Sequence, residues 1–199
     1  MPFLMQPSVC DVRPSVSGAR LLGQDAAVPW TRYVLFFALA GGGCAADLAT
    51  KSWAFGWLGP PPSPKWWIVP DVLGIETSLN RGALFGLGQG WVFIFAGLSV
   101  VALAAILIWL FGMRAARDLL LTVALGCISA GVLGNLFDRL GLHGLRELDG
   151  DRVFAVRDWI LVMIYRWHWP NFNVADSLLV CGAALLVWKA WRPDSAKPA

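Results

Sequence analysis

Long apolar runs separated by polar segments dominate the chain. The clearest run covers residues 91–113 and carries no charged residue before Arg114. Similar runs cover residues 119–140 and 173–191, and an earlier one begins at Tyr33. A helix of about 20 mostly apolar residues is needed to cross a bilayer. The pattern therefore predicts four membrane-spanning helices, at about 33–57, 91–113, 119–140 and 173–191.

The first predicted span differs from the others because it contains charged residues. Its uninterrupted apolar stretch ends at Ala46 and is too short to cross a bilayer by itself. The helix must therefore continue through Asp47 and Lys51 to about Trp57. Asp47 and Lys51 are four residues apart, so they share one helix face and can pair with each other.

The two longest segments between the spans lie on the same side of the predicted membrane. Residues 58–90 are rich in Pro and Gly, but residues 73–79 alternate between larger and smaller or polar side chains. A period of two predicts a strand on the membrane surface. Residues 141–172 read as a second polar loop. The predicted fold is an all-α membrane protein, a four-transmembrane-helix bundle with a small extracytoplasmic β element and a second outer loop.

The ends of the chain are predicted to lie in the cytoplasm. Residues 1–30 are rich in Pro, Ser, Gly and Arg and read as a flexible tail, residues 31–192 form the membrane domain, and residues 193–199 form a charged tail. Four spans place both termini on one side. An excess of positive residues near the span ends indicates that the side with the termini is cytoplasmic. These residues are Arg32, Arg114, Arg117, Lys189 and Arg192.

Composition supports a membrane protein and argues against several other classes. Hydrophobic residues make up 57% of the 199 positions and charged residues 15%, where a soluble domain carries roughly a quarter. The net charge of +3 comes without a Lys/Arg-rich run, so nucleic acid is not an expected partner. The four cysteines form no CxxC pair, and neither a metal site nor a disulfide framework is predicted.

The acidic residues of the spans fall at a common depth. Asp47 and Asp138 lie towards the second ends of two spans that run in the same direction. Asp176 lies at the first end of the last span, which runs the opposite way, and Asp158 lies in the outer loop on that face. A carboxylate near lipid is costly and usually functional. The sequence therefore predicts a shared polar site near the outer membrane surface.

Amide and basic side chains accompany these acids at helical spacing. Asn135, Asp138 and Arg139 stand at i, i+3 and i+4, and Asn173 precedes Asp176 by three residues. Such residues share a helix face. Amides beside carboxylates can hold a water molecule or a peptide group by hydrogen bonds where lipid offers none.

Other interpretations of the polar residues remain open from the residues alone. Asp138 with Arg139, and Asp47 with Lys51, could be ion pairs that only end or stabilise helices. Ser177 with His168 could form a nucleophile pair. Membrane acids also occur in small proton-coupled transporters, although these often show internal repeats and midplane sites. A non-catalytic assembly factor is a further alternative.

Four short blocks, in order along the chain, resemble the lipoprotein signal peptidase family, the type II signal peptidase of bacterial membranes. The resemblance covers nearly the whole chain after the tail. The blocks are Asp47-xxx-Lys51, the stretch Asn80-Arg81-Gly82-Ala83-Leu84-Phe85-Gly86, the G-x-x-G-N-x-x-D-R block over residues 131–139 and the F-N-x-A-D-S block over residues 172–177.

The resemblance implies an aspartic endopeptidase at the outer face of the bacterial cytoplasmic (inner) membrane. Its substrate would be a lipid-modified prolipoprotein, cut just before the diacylglyceryl-cysteine, among membrane lipids and without a metal or organic cofactor. Asn135, Arg139 and Asn173 would position the peptide and the catalytic pair. Asn80 and Gly82 would help to bind substrate, and Asp47, Lys51 and Asp138 would support the site.

The resemblance also implies which two aspartates carry the reaction. One is Asp176, in the F-N-x-A-D-S block. The other belongs to a V-x-D-F-like segment, which corresponds to residues 156–159, so Asp158 is the predicted partner. Arg157 and Trp159 stand where the family has an apolar residue and Phe. Asp149 and Asp151 lie in the longer stretch before this segment and are the alternative partners.

Overall fold

The computed structural model describes residues 27–82 and 88–191. Most of the predicted N-terminal tail, the predicted C-terminal tail and Arg192 lie outside the described residues. So does the Ala83–Gly86 part of the block that begins at Asn80.

Within the described residues, four helices form the body of the protein, and each is long and apolar enough to cross a membrane. Helix α1 covers Trp30–Leu58, α2 covers Val92–Leu107, α3 covers Leu119–Arg139 and α4 covers Val174–Trp191. A π-helical turn, Ile108–Gly112, extends α2. The four long apolar helices that the sequence predicts are present, and the first begins slightly earlier than expected.

A short 3-10 turn, Ala115–Arg117, joins α2 to α3. Asp118 caps α3, because its carboxylate accepts a 2.9 Å hydrogen bond from the Leu121 backbone N–H. The same carboxylate pairs with Lys189 near the end of α4. The two helices are thus joined at the end of the bundle that lies away from the sheet.

Helix α3 is the central helix, and small residues let its neighbours approach closely. A side chain at Gly131 would overlap the carbonyl oxygen of Ala175 in α4, and one at Gly134 would overlap the carboxylate of Asp47 in α1. Gly182 of α4 in turn faces the backbone of α3. Close backbone approach through small residues is the usual packing of membrane helices, where lipid offers no hydrophobic driving force.

Gly131→Ala is expected to destabilise the protein, by about 1–3 kcal/mol, because the added methyl group overpacks the contact between α3 and α4. Its Cβ would lie only 2.7 Å from Leu179 Cγ. The measurement is the thermal unfolding midpoint in detergent. Gly97→Ala is the matched control, since nothing lies within 4 Å of a Cβ there. A Gly131→Ala protein that unfolds at the same temperature as Gly97→Ala would contradict the packing argument.

A four-stranded antiparallel sheet lies at one end of the helical bundle. Its strands are β1 (Trp66–Val69), β2 (Leu73–Asn80), β3 (Val156–Ile164) and β4 (Trp167–Phe172), in the spatial order β1-β2-β3-β4. The strand predicted from the alternation over residues 73–79 is therefore present as β2.

The all-α fold class is wrong for the segments between the helices, which form the sheet. The segment predicted as a second polar loop contributes β3 and β4, half of the sheet. Residues 159–164 form an unbroken apolar run without alternation, so the pattern carries no period of two. These residues become a strand because they pair with β2, more than 75 residues earlier in the chain.

The register of the sheet sets the position of one predicted site residue. Asp158 lies opposite Ser78, and Val156 lies opposite Asn80 at the end of β2. Strand β4 then leads into α4 with only Asn173 between them. The sheet and the first turn of α4 therefore present Asp158 and Asp176 at the same end of the bundle.

Candidate active site

A cavity of about 420 Å³ lies between the sheet, α3 and α4. The sheet, α3 and α4 all contribute to its polar lining, and its apolar lining comes mainly from the sheet and α4. The polar residues are Asn80, Asn135, Arg139, Asp158, Asn171, Asp176 and Ser177, and the apolar residues include Val156, Val162, Phe172 and Val180. Both predicted catalytic acids, Asp158 and Asp176, therefore line the same cavity.

Asp158 is almost completely buried, with 2% of its surface exposed. The side-chain amide of Asn173 donates a 2.6 Å hydrogen bond to its Oδ1. Burial raises the pKa of the Asp158 carboxyl well above its usual range, and the nearby Asp176 raises it further. The hydrogen bond from Asn173 opposes this shift without cancelling it. The surroundings thus favour a protonated Asp158 at pH values where an exposed aspartate is ionised.

Asp176 lies in the first turn of α4, where reciprocal hydrogen bonds fix its position. Its backbone N–H donates to Asn173 Oδ1 at 2.9 Å, and its Oδ2 accepts from the Asn173 backbone N–H at 3.2 Å. This exchange is a capping box, with Asn173 as the capping residue. Asn135 of α3 donates its amide to Oδ1 at 2.9 Å. The N-terminal end of the helix dipole also favours a negative charge at this position.

Asn173 connects the two acids through one side chain. Its amide nitrogen contacts Asp158, while its amide oxygen and backbone N–H contact Asp176. The residue is fully buried and lies within 3.3 Å of Asn135 Oδ1. Because an amide supplies both a donor and an acceptor, it can hold the two carboxyl groups in a fixed relation.

A buried charge cluster lies next to the cavity and consists of Asp47, Lys51, Asp138 and Arg157. Lys51 Nζ is 2.7 Å from Asp47 Oδ2 and 3.2 Å from Asp138 Oδ2. Arg157 Nη2 is 2.9 Å from Asp138 Oδ1. The first three side chains are fully buried and Arg157 is nearly so. Two acids and two bases make the charge cluster neutral, which is the condition under which buried charges are tolerated.

The charge cluster contacts the two acids of the cavity through two polar links. Lys51 Nζ donates to Asn135 Oδ1 at 2.9 Å, and this fixes the orientation in which the amide of Asn135 donates to Asp176. Asp47 Oδ1 accepts a 2.8 Å hydrogen bond from the backbone N–H of Ala175. Asp47 thereby satisfies a free N–H group in the first turn of α4, next to Asp176.

Most of the chain is similar to one family of known proteins. Residues 39–192 match the family model for Signal peptidase (SPase) II. The chain belongs to the signal peptidase II family. This signal peptidase II is therefore an aspartic endopeptidase, a multi-pass protein of the bacterial inner membrane, and the transporter alternative finds no support in the matches.

Curated relatives and solved structures agree with this membership. The lipoprotein signal peptidase of Rhodopirellula baltica is 51% identical over 82% of this chain and 74% of the relative. That of Pseudomonas aeruginosa is 32% identical over 63% of this chain and 70% of the relative. A bacterial membrane enzyme solved by the in meso method at 2.3 Å resolution has a TM-score of 0.66 and 25% identity, covering 82% of this chain and 94% of that chain.

Several predicted site residues of this signal peptidase II occupy places that the sequence could not specify. Arg139 lines the cavity, with its guanidinium 5.8 Å from the ring centre of Phe95 and Nη2 3.5 Å from the carbonyl oxygen of Gly82. Asp138 is paired instead with Lys51 and Arg157. Gly82 follows Asn80, whose Oδ1 accepts from the Gly82 backbone N–H at 2.9 Å.

Arg157 is the member of the charge cluster that sequence reasoning missed. It stands at a position where the family resemblance predicts an apolar residue, in the segment that contains Asp158. The sequence carried no local signal for its role, because Arg139, the residue after Asp138, was the cation available to that carboxylate.

The alternative acids, Asp149 and Asp151, and the alternative base, His168, lie outside the cavity lining, whereas Ser177 belongs to it. Asp149 and Asp151 are both exposed, and Asp149 Oδ1 accepts from the Asp151 backbone N–H within their own turn. Ser177 Oγ donates to the Asn173 carbonyl oxygen, whereas His168 Nε2 lies 3.2 Å from Glu76 Oε2. Ser177 and His168 thus have separate partners. Among residues 27–82 and 88–191, no group of three possible ligands could hold a metal ion.

Proposed function

We propose that Asp158 and Asp176 are the catalytic pair with which this signal peptidase II cleaves lipid-modified prolipoproteins just before the diacylglyceryl-cysteine. The observation that carries the proposal is that both carboxyl groups open on one cavity while one side chain, Asn173, holds them both. Asp149 and Asp151 have no place in the lining of that cavity.

The chemistry follows from two carboxyl groups that share a proton. Two neighbouring carboxylates in a poorly solvated site do not both ionise, so one group keeps a proton and the other stays charged. The ionised carboxylate takes a proton from a water molecule, whose oxygen attacks the scissile carbonyl carbon. The protonated carboxyl group gives its proton to the carbonyl oxygen. The raised pKa of Asp158 supports retention of the shared proton above the pH at which an exposed aspartate loses its own, and the pair titrates as a unit.

The polar residues around the pair have separate proposed roles. Asn135 and Asn173 fix the two carboxyl groups. Lys51 orients the amide of Asn135, Asp47 holds the first turn of α4, and Asp138 supports Lys51. Arg139 also lines the cavity. Its positive charge offsets the single negative charge that the pair keeps. Asn80, the last residue of β2, and Gly82, two residues later, would bind the backbone of the substrate.

The apolar walls of the cavity fit the proposed substrate. Val156, Val162, Phe172 and Val180 give it apolar surface suited to a signal peptide or an acyl chain.

We place the cavity near the outer face of the membrane and both termini in the cytoplasm. Arg114 and Lys189, at the end of the bundle away from the sheet, support this orientation through the excess of basic residues on cytoplasmic faces.

Cleavage of a purified prolipoprotein in vesicles tests the proposed function. The protein is expected to cut the diacylglyceryl-modified substrate and to leave the modified cysteine at the new N-terminus. A substrate with Ser in place of that cysteine cannot be modified and is expected to stay intact. N-terminal sequencing and mass spectrometry identify the product. Equal cleavage of both substrates, or cleavage at another bond, would overturn the proposal.

A further inference from the structure

Arg157 and Asp158 are neighbours on β3 with opposite surroundings. Successive side chains on a strand point to opposite faces. Asp158 faces the cavity, whereas Arg157 faces α1 and α3 and is only 4% exposed. A buried arginine beside a membrane is costly unless its hydrogen bonds are satisfied.

One residue, Arg157, holds both oxygens of the Asp138 carboxylate. Its backbone N–H donates to Oδ2 at 2.9 Å, and its Nε and Nη2 donate to Oδ1 at 3.1 and 2.9 Å. Its Nη1 lies 3.4 Å from Ser52 Oγ on α1, and its guanidinium is 6.0 Å from the ring centre of Phe55. These contacts attach β3 to α3 and α1 one residue before Asp158.

The position of Asp158 depends on this attachment because Arg157 and Asp158 are consecutive residues of the same strand. The backbone N–H of Arg157 is itself one of the bonds to Asp138, so the hydrogen bond fixes the main chain and not only the side chain. The fork of the guanidinium then fixes the direction of the carboxylate. A shift of β3 along α3 would carry Asp158 away from Asn173 and Asp176.

The charge of Arg157 also affects the hydrogen bonds that hold Asp176 in position. Lys51 contacts Asp47, Asp138 and Asn135 together. With Arg157 present, Asp138 has its own cation, and Lys51 can keep its 2.9 Å bond to Asn135 Oδ1. Without Arg157, Asp138 would draw Lys51 towards itself, and the amide that holds Asp176 would lose its support.

We propose that Arg157 is a positioning residue for the cleavage reaction, because it clamps Asp138 and so fixes where Asp158 stands opposite Asp176. The inference rests on the proposed function, in which these two acids are the catalytic pair. Arg157 lies outside the cavity lining and acts through Asp138 and the main chain of β3.

Steady-state cleavage by two variants tests this role. Arg157→Val removes both charge and clamp and is expected to lower kcat by on the order of 10²-fold, the usual effect of misplacing a catalytic group by about 1 Å. Arg157→Lys keeps the charge but not the fork and is expected to lower kcat by on the order of 10-fold. KM should change by less than about 3-fold in both variants, because the cavity lining is intact.

The controls separate positioning from folding and from the proposed function. Arg166→Val removes an exposed arginine on the turn after β3 and should keep wild-type kcat. If Arg157→Val does not fold in detergent, Arg157→Lys decides the question, and a wild-type kcat for it overturns the inference. An inactive Asp158→Asn protein beside a fully active Arg157→Val protein overturns the positioning role alone. An active Asp158→Asn protein overturns the proposed catalytic pair.

Discussion

Replacing Asp158 or Asp176 with Asn is expected to reduce the rate of prolipoprotein cleavage by at least about 10³-fold, while the protein remains folded in the membrane. General acid–base catalysis raises the reaction rate by about 10²–10⁴-fold, and a catalytic pair loses its activity when either member is replaced. Asn keeps nearly the shape of Asp but can neither carry the shared proton nor accept a proton from water. The measurement is a gel-shift assay of the lipidated precursor against time, at equal amounts of inserted enzyme.

The same substitution at Asp149 and at Asp151 provides the matched controls. Both acids are exposed in the segment before β3, and both were alternative partners for Asp176 on sequence grounds. Each Asn variant is expected to process the substrate at close to the wild-type rate. Wild-type processing by Asp158→Asn, together with loss of processing by Asp149→Asn or Asp151→Asn, would show that the partner of Asp176 had been assigned to the wrong acid.

The helical part of the fold could be predicted because its signal is local. Each span is an apolar run long enough to cross a bilayer, and backbone hydrogen bonds within a helix need no partner elsewhere in the chain. The strands β3 and β4 could not be found in this way. Residues 159–164 are apolar throughout, and their structure depends on pairing with β2, which is distant in sequence.

The grouping of the acids in the site was predictable for a similar reason. The direction of each span and the position of an acid along it fix the depth of that acid in the membrane, so Asp47, Asp138 and Asp176 could be placed together from sequence. The contacts between elements could not. Nothing local indicates that Asp47 binds the backbone of Ala175, or that Asp138 takes Arg157 in place of its neighbour Arg139.

Lys51→Met is expected to destabilise the protein by about 3–5 kcal/mol, the usual cost of removing one partner from a buried ion pair. Lys51 is fully buried between Asp47 and Asp138, and its loss leaves three charged groups with a net charge of −1. It also removes the bond that orients Asn135, so cleavage should fall together with stability. Unfolding by denaturant in detergent, followed by tryptophan fluorescence, measures the change.

Lys65→Met and a double variant separate the effect of buried charge from that of the substitution itself. Lys65 is 43% exposed and lies 4.0 Å from Glu76 Oε1, and exposed pairs of this kind contribute about 0–1 kcal/mol.

Adding Asp47→Asn to Lys51→Met restores a neutral charge cluster, because only Asp138 and Arg157 then stay charged. The double variant should therefore be more stable than Lys51→Met, although Asp47→Asn alone destabilises, and this sign reversal identifies charge balance as the cause. If Lys51→Met is as stable as Lys65→Met, or if Asp47→Asn lowers the stability of both backgrounds equally, the charges around Lys51 are not coupled in this way.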